Sequence, residues 1–482
     1  MLYLEYMDID VVKNNGKVYT PAPIVRLMLD YCGYVQGRYI KKKHVIDNSC
    51  GDGQILCEVV RRYIRSCVMF DNVVEDLKTY IHGIELDESE VEVCKANLND
   101  VLKKHGIKEE IDWDIRCGNA LTFNDFDCKM DFVIGNPPYV RMKNIKKSED
   151  NYQIIKNYHF SSKGMSDLYL AFYELGLRML NGNGVLCYIA PSAWINSAAG
   201  EPMRSNIFFE KSLAGVIDFE HIQVFENATT YVMITLLDKK QHQYIRYDKY
   251  SPEENRLIPV SALTYDEVFI DDKMYFTSPE ESQVIKLCMM NPYKIVEVKN
   301  GYATLADDIF IDNLPEFKDY TIPILKGSTG QWKRCLFPYD SQMRLIPLNK
   351  IRETSPEVYD YLMENKEKLE DRTYDSKGTD DTWHCIGRSQ GLKDTYIDRI
   401  GINTLVKCPD DLKITPIKSG EGIYSGLYIK TDLSVEKIES ILRTQEFIDY
   451  VKSLRKYKSG GYYTFSSNDV EKYINYKLIW HG

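Results

Sequence analysis

No two of the 12 cysteines stand as Cys-x-x-Cys; they are scattered from Cys32 to Cys408. That scatter suggests neither a zinc site nor a disulfide framework, and reduced thiols in a cytoplasmic protein are the simple reading. No apolar run reaches the roughly 20 residues that a membrane-spanning helix needs. The first ten residues carry several acidic side chains, unlike a secretory signal, so the expectation is a cytoplasmic chain with no membrane partner. Positive charge is in deficit, with 61 Lys and Arg against 71 Asp and Glu and a net charge of −10. The deficit argues against a uniformly basic nucleic-acid coat, but phosphates respond to a local cleft rather than to the global sum. Repeats and low-complexity tracts are absent, as are Gly-x-Gly-x-x-Gly and the Gly-Lys-Ser/Thr of a phosphate-binding loop. A nucleotide diphosphate ligand is therefore not expected. Neither is a metal, because no cluster of ligating residues is visible.

What is present is an ordinary globular composition, 44% hydrophobic and 27% charged over 482 residues, enough for two or three domains. The stretch 131–139, Asp-Phe-Val-Ile-Gly-Asn-Pro-Pro-Tyr, carries the most chemistry. Its first four residues read as a short buried strand. Two prolines then stiffen the exit: each fixes its own φ, lacks an N–H, and pushes the residue before it to an extended conformation. Asn136 is thus held at a strand end beside a free carbonyl at Pro137 and an aromatic ring at Tyr139. Two fixed acceptors and a stacking face suit a planar ligand bearing an NH₂ group.

Upstream, Tyr19-Thr20-Pro21 opens an amphipathic helix with Thr20 as the expected N-cap, Ile24, Leu27, Met28 and Tyr31 on one face, and Gly33 at its end. A strand at His44–Asp47 leads into Asn48-Ser49-Cys50-Gly51-Asp52-Gly53, then a helix burying Ile55, Leu56, Val59 and Val60. Strand, two-glycine turn and helix form the first unit of a doubly wound α/β domain. A strand to Leu86 ends at Glu85, placed to accept both hydroxyls of a ribose. Strands at 115–117 and 131–134, the first followed by Gly118-Asn119-Ala120, complete four that converge on one edge of a parallel sheet. Ligands bind at such an edge, and a nucleoside with an amino-acid tail fits its residues.

In this order, the Tyr-Thr-Pro, Asp47–Gly53, Gly83-Ile-Glu85, Gly118-Asn119 and Asn136-Pro-Pro-Tyr139 elements resemble gamma-class N6-adenine DNA methyltransferases. The resemblance continues through Asp167–Phe172, the strand at Gly184–Ala190, and Val224-Phe225. It implies a Rossmann-like methyltransferase domain over residues 1–240 and, over 241–482, a connecting segment and an α+β target-recognition domain opening near Gly301–Ile311. It also implies S-adenosyl-L-methionine as cofactor. Thr20 would contact its carboxylate, and Asp47, Cys50, Gly51 and Gly53 would wrap the methionine part. Glu85 would bind the ribose, Leu86 and Phe172 would sandwich the adenine, and Asn119, Ala120 and Pro138 would complete its pocket. By the same resemblance Asn136 and Pro137 accept the target amine, while Tyr139 and Phe225 stack on an adenine flipped out of double-stranded DNA. Apolar neighbours around Phe225 leave a plain core role open for it.

Two positions depart from the family: Asn48 stands where proline is usual, and Asn119 where an acidic residue is usual. An amide oxygen still accepts a hydrogen bond. Arg141, Lys143, Lys146 and Lys147, and later Lys452, Arg455, Lys456 and Lys458, are candidate phosphate contacts. With no nuclease constellation visible, the reading leaves room for a separately encoded restriction endonuclease. Two alternatives stand beside it. One is an RNA or protein-glutamine N-methyltransferase sharing the Asn-Pro-Pro-Tyr site, against which the large C-terminal domain speaks. The other is a non-enzymatic nucleic-acid-binding module, against which the intact Asn136, Pro137, Tyr139 and Glu85 speak.

Overall fold

Short apolar runs stopped by glycine, proline or a polar turn, joined by more polar strands towards its edges, build a nine-stranded sheet in the order β3-β2-β1-β4-β5-β7-β6-β8-β9. Its strands are β1 (Val45–Asp47), β2 (Ile81–Glu85), β3 (Asp114–Cys117), β4 (Met130–Gly135), β5 (Leu180–Pro191), β6 (Leu213–Asp218), β7 (Val232–Asp238), β8 (Tyr244–Ser251) and β9 (Arg256–Thr264). The computed structural model describes residues 19–36, 40–67, 73–145, 150–164, 166–225, 230–372, 374–375 and 382–480. Strands β3, β2, β1, β4 and β5 run parallel, with Ile46 opposite His82 on one side and Val133 on the other. β7 then returns antiparallel between β5 and β6. This is the Rossmann-like doubly wound sheet that the strand–turn–helix pattern implies. The order reverses at β1 and β4, so the loops leaving these strands part to either side and open a crevice.

Helices cover both faces. They are α1 (Ala22–Tyr31), α2 (Gln54–Ser66), α3 (Val73–Tyr80), α4 (Glu88–Lys104), α5 (Asp150–Lys156), α6 (Leu168–Met179) and α7 (Glu201–Glu210). The face of α2 that the sequence assigns to the core is buried, Ile55, Leu56, Val59 and Val60 being 4% exposed or less. α1 starts one step later than expected. Pro21, extended at ψ 140, is its N-cap and no side chain caps it, because Thr20 is buried instead. Gly33, at φ +83, lies just past its end. The buried guanidinium of Arg62 on α2 fixes α1 in place, donating to Asp30 (2.7 Å) and to the carbonyls of Tyr34 (2.8 Å) and Arg26 (3.1 Å).

The chain divides into two compact units, Met1–Ser282 and Gln283–Gly482. The first is longer than the 1–240 expected from sequence, because β8 and β9 extend the sheet on the outer side of β6. The second unit is α+β and built on small sheets. Glu297–Asn300, Leu427–Lys430, Arg399–Ile402 and Ile414–Ile417 form one antiparallel sheet in that order. Thr321–Lys326 pairs antiparallel with Gln331–Leu336 and parallel with Gly422–Tyr424. Among the described residues no helix is long and apolar enough to cross a membrane.

Candidate active site

A cavity of about 550 Å³ opens where the loops after β1, β2, β3 and β4 converge. Eleven of the expected site residues line it: Thr20, Asp47, Cys50, Gly51, Glu85, Leu86, Asn119, Ala120, Asn136, Pro138 and Phe172. Four do not. Gly53 caps α2 from behind at φ +85, with the Cys94 thiol where a Cβ would stand. Pro137, Tyr139 and Phe225 lie beyond the lining.

The loop after β1 is drawn tight by its own backbone. The Cys50 N–H donates to the Ile84 carbonyl (3.0 Å), the Gly53 N–H to the Cys50 carbonyl (2.8 Å), and the Ser49 N–H to the Asp47 carboxylate (3.1 Å). Asp47 is 2% exposed; burial pushes its carboxyl up to about 8, further raised by Glu85 and Asp52 and only partly offset by the Ser49 N–H. A buried carboxyl without a cation carries a proton at neutral pH. Glu85 is half-buried and occupied from three sides, accepting from the N–H groups of Gly51 (3.0 Å), Leu86 (2.8 Å) and Asp87 (3.0 Å). A carboxylate has about four acceptor positions, so Glu85 ties the turn after β1 to the end of β2 while keeping room for a further donor. Asn119 caps a short turn, its amide oxygen accepting from the Leu121 N–H (3.1 Å).

Across the mouth, the Tyr19 hydroxyl donates to Glu90 (3.0 Å), tying the segment before α1 to the start of α4. Phe172 is buried on one wall, whereas Leu86 is 67% exposed on the rim. Asn48, at the position where the family has proline, is 1% exposed and accepts a 2.8 Å bond from the Tyr188 hydroxyl on β5. A buried hydrogen bond thus stands where a proline ring would stiffen the turn, at a typical net worth of about 0.5–1.5 kcal/mol. Sequence reasoning missed Asn48 and Ser49 as contributors, although both lie inside the motif it singled out.

At the end of β4 the Asn136 carbonyl accepts from the Ser49 hydroxyl (3.2 Å), and the Tyr139 hydroxyl donates to the Ile189 carbonyl (3.2 Å). The Tyr139 and Phe225 rings meet edge to face, centroids 6.0 Å apart at 65°, so no open slot lies between them. Phe225 is 3% exposed and packs within the core on the α1–α2 face. The candidate phosphate contacts divide. Arg141 is exposed; Lys146 and Lys147 lie outside the described residues. In the C-terminal cluster, Lys456 pairs with Asp469, Lys452 lies 3.9 Å from Asp449, and Arg455 donates to the Tyr457 hydroxyl (2.9 Å). Lys458 is exposed. Among the described residues no cluster of His, Cys, Asp and Glu could hold a metal.

Residues 76–225 match the sequence profile of the Eco57I restriction-modification methylase. Over 433 residues the chain is 25% identical to the Type II methyltransferase M.BstVI of Geobacillus stearothermophilus, covering 78% of this chain and 74% of that protein. It is 23% identical to the Type II restriction enzyme and methyltransferase RM.Eco57I of Escherichia coli, covering 93% of this chain and 55% of the relative. It is 27% identical to M.XhoI of Xanthomonas vasicola over 47% of this chain and 42% of that one. The chain therefore spans about three quarters of the first relative and about half of the other two. Among solved structures, the Type IIL restriction-modification enzyme MmeI in complex with DNA superposes with a TM-score of 0.64 at 14% identity, over 95% of this chain and 64% of that chain. That likeness is one of fold. By the profile match and these relatives, the chain is similar to Type II methyltransferases and matches the Eco57I restriction-modification methylase profile over residues 76–225.

Proposed function

We propose that this protein is a site-specific DNA adenine-N6 methyltransferase that uses S-adenosyl-L-methionine. The observation that carries the reading is the placement of Asn136, directly after β4 and before Pro137, in the wall of a cavity built from the β1, β2 and β3 loops. The residues fit the cofactor. About 550 Å³ lies within the range of small-molecule pockets, roughly 300–1,000 Å³. At Gly51, φ +51, a Cβ would meet only the Tyr19 ring at 3.8 Å, so backbone lies bare to the cavity there. Thr20 and Asp47 would hold the amino-acid end, Glu85 the ribose, and Asn119, Ala120, Pro138, Leu86 and Phe172 the adenine. When bound, S-adenosylmethionine supplies an electrophilic methyl group.

The chain's own residues do the rest. An exocyclic adenine amine is a weak nucleophile because its lone pair is delocalised into the ring. The Asn136 side-chain oxygen and the Pro137 carbonyl accept hydrogen bonds from its two N–H groups, draw the nitrogen towards a tetrahedral shape, and localise the pair for attack. Acceptors already in place cost no reorganisation at the moment of reaction, and near-attack positioning supplies much of the remainder. The amine is reached by flipping the base out of the duplex, at a few kcal/mol. Tyr139 supplies a stacking face of about 1–3 kcal/mol, and Phe225 backs that ring, parting from it if the base is to lie between the two. Residues 283–482 are assigned to target recognition.

DNA rather than RNA or protein glutamine is the favoured substrate because relatives are named as Type II methyltransferases and MmeI was solved on DNA. A cytoplasmic location and a separately encoded endonuclease partner belong to the same reading. The test is single-molecule sequencing of genomic DNA from a host expressing the chain. N6-methyladenine in one sequence context is expected, and unmodified adenine throughout would overturn the reading.

A further inference from the structure

The loop 136–139 leaves the sheet with few ways to hold itself. β4 is paired with β1 as far as Val133 and with β5 as far as Gly135, which lies opposite Tyr188. Beyond it Pro137 and Pro138 have no N–H to give. Two side-chain hydroxyls do the anchoring, Tyr139 to the Ile189 carbonyl at the far end and Ser49 to the Asn136 carbonyl at the near end. Ser49 is itself fixed from both sides. Its own N–H is bonded to Asp47, and the preceding residue, Asn48, is held by Tyr188. Tyr188 and Ile189 are neighbours on β5, so one strand braces the cofactor turn and the Asn136 loop together.

We propose that Ser49 is a positioning residue that locks the Asn136–Pro137 peptide plane to the cofactor turn, setting the separation between methyl donor and target amine. The inference rests on the reading of Asn136 and Pro137 as the amine's acceptors. Proline at 137 already restricts the backbone of Asn136 to extended values, and the remaining freedom is a swing of that peptide plane. The Ser49 hydroxyl removes it by holding the plane's oxygen. Because Ser49 lies in the same turn as Asp47, Cys50 and Gly51, any shift of that turn is transmitted to Asn136 by a single hydrogen bond. The bond joins residues 87 apart in sequence.

The test compares Ser49→Ala, Ser49→Thr and the native chain by hydrogen–deuterium exchange, cofactor calorimetry and single-turnover kinetics on duplex DNA. In Ser49→Ala the amides of Asn136 and Tyr139 should exchange ~10-fold faster, as loss of about one net hydrogen bond allows. The methyl-transfer rate should fall ~10-fold, since small misplacements of reacting groups carry losses of that order. Cofactor Kd should stay within about twofold, because the one donor of the Ser49 hydroxyl is already given to the Asn136 carbonyl. Ser49→Thr, which keeps the hydroxyl, should restore both rate and protection. Unchanged exchange, an unchanged rate, or a loss of rate that tracks Kd and is not restored by threonine would each overturn the proposal. A native chain that transfers no methyl to any duplex would refute the enzymatic reading instead, and the exchange measurement would still decide whether Ser49 anchors the loop.

Discussion

Asn136 and Asp47 illustrate how a single side chain is made chemical by where its backbone is held. On the proposed mechanism, Asn136→Ala removes one of two acceptors for the target amine. By analogy with deleting one preorganised transition-state donor, turnover should fall at least ~10²-fold while cofactor affinity changes little. Asn136→Asp keeps an acceptor and should be milder. Near-native turnover of the alanine variant on a duplex with a single target adenine would remove Asn136 from the chemistry. For Asp47 burial is the main cause of a carboxyl raised to about 8, against an ordinary value of 3.8. A folded-state pKa above the unfolded one means that the native state holds the proton more tightly. Its contribution to stability is then complete below about pH 4 and is lost as pH rises towards 8. Asp47→Asn, which has no proton to lose, should gain in Tm relative to the native chain between pH 5 and pH 8, with the difference levelling above that. A Tm difference constant across this range would show that Asp47 is already ionised near neutrality. Both residues are legible in the sequence because each sits in a short contiguous motif. Ser49–Asn136 and Asn48–Tyr188 are not, since these bonds join residues 87 and 140 positions apart and no local pattern announces them.

The parallel strands show the same division between what local pattern reveals and what it hides. β1, β2, β4, β5 and α2 are legible because their apolar runs are short, unbroken and stopped by turn residues. β8, Tyr-Ile-Arg-Tyr-Asp-Lys-Tyr-Ser, reads as a polar segment, yet it lies inside the sheet. Its one buried charge, Asp248, is partnered. Asp248 accepts from Arg246 at 2.7 Å, and the Arg246 guanidinium lies 3.9 Å from the centroid of the Tyr31 ring of α1. The edge strand β9 places Pro259 beside Asp248, where a missing N–H costs little. At the opposite edge a charged network crosses β2 and β3 in register. His82 is bonded to Asp114 at 2.7 Å and to His44 at 2.9 Å, and Arg116 also donates to Asp114. Burial raises the Asp114 carboxyl, but the His82 and Arg116 hydrogen bonds outweigh it and hold it down at about 2. Burial, and then the neighbouring His82 ring, lower the His44 pKa from its ordinary value. A carboxyl with a depressed folded-state pKa adds stability above its unfolded value of about 3.9, and that stability disappears as pH falls towards 2. Asp114→Asn should therefore lower Tm at pH 6 and match the native chain near pH 2, as thermal melts at the two pH values would show. An equal deficit at both would mean that packing, not charge, is what Asp114 contributes.

For the molecule as a whole, the decisive question is where the catalytic unit ends. The residue composition changes near 240, and the resemblance to known methyltransferases is complete there. The core is not. β8 pairs parallel with β6 from Gly215–Arg246 to Asp218–Lys249, and Ile245, Tyr247 and Leu263 are fully buried in the same core as β5 and α6. The Tyr265 hydroxyl accepts from the Leu213 N–H at 2.9 Å, and the buried guanidinium of Arg204 donates to the Asp272 carbonyl at 2.6 Å. Ending the chain at Lys240 would strip all of these from α7 and β6, leaving β6 as an unprotected edge with a hydrophobic face open to water. Such a chain should aggregate or unfold without cooperativity. A chain ended at Ser282 keeps every one of these contacts, so it should melt cooperatively and bind S-adenosylmethionine within a few-fold of the full chain, as scanning calorimetry and titration would report. Under the proposed assignment of target recognition to residues 283–482, it should lose sequence discrimination on DNA. Cooperative folding with cofactor binding at Lys240 would show that β8 and β9 are dispensable. Selective methylation of one sequence by the 1–282 chain would instead move target recognition into the catalytic unit itself.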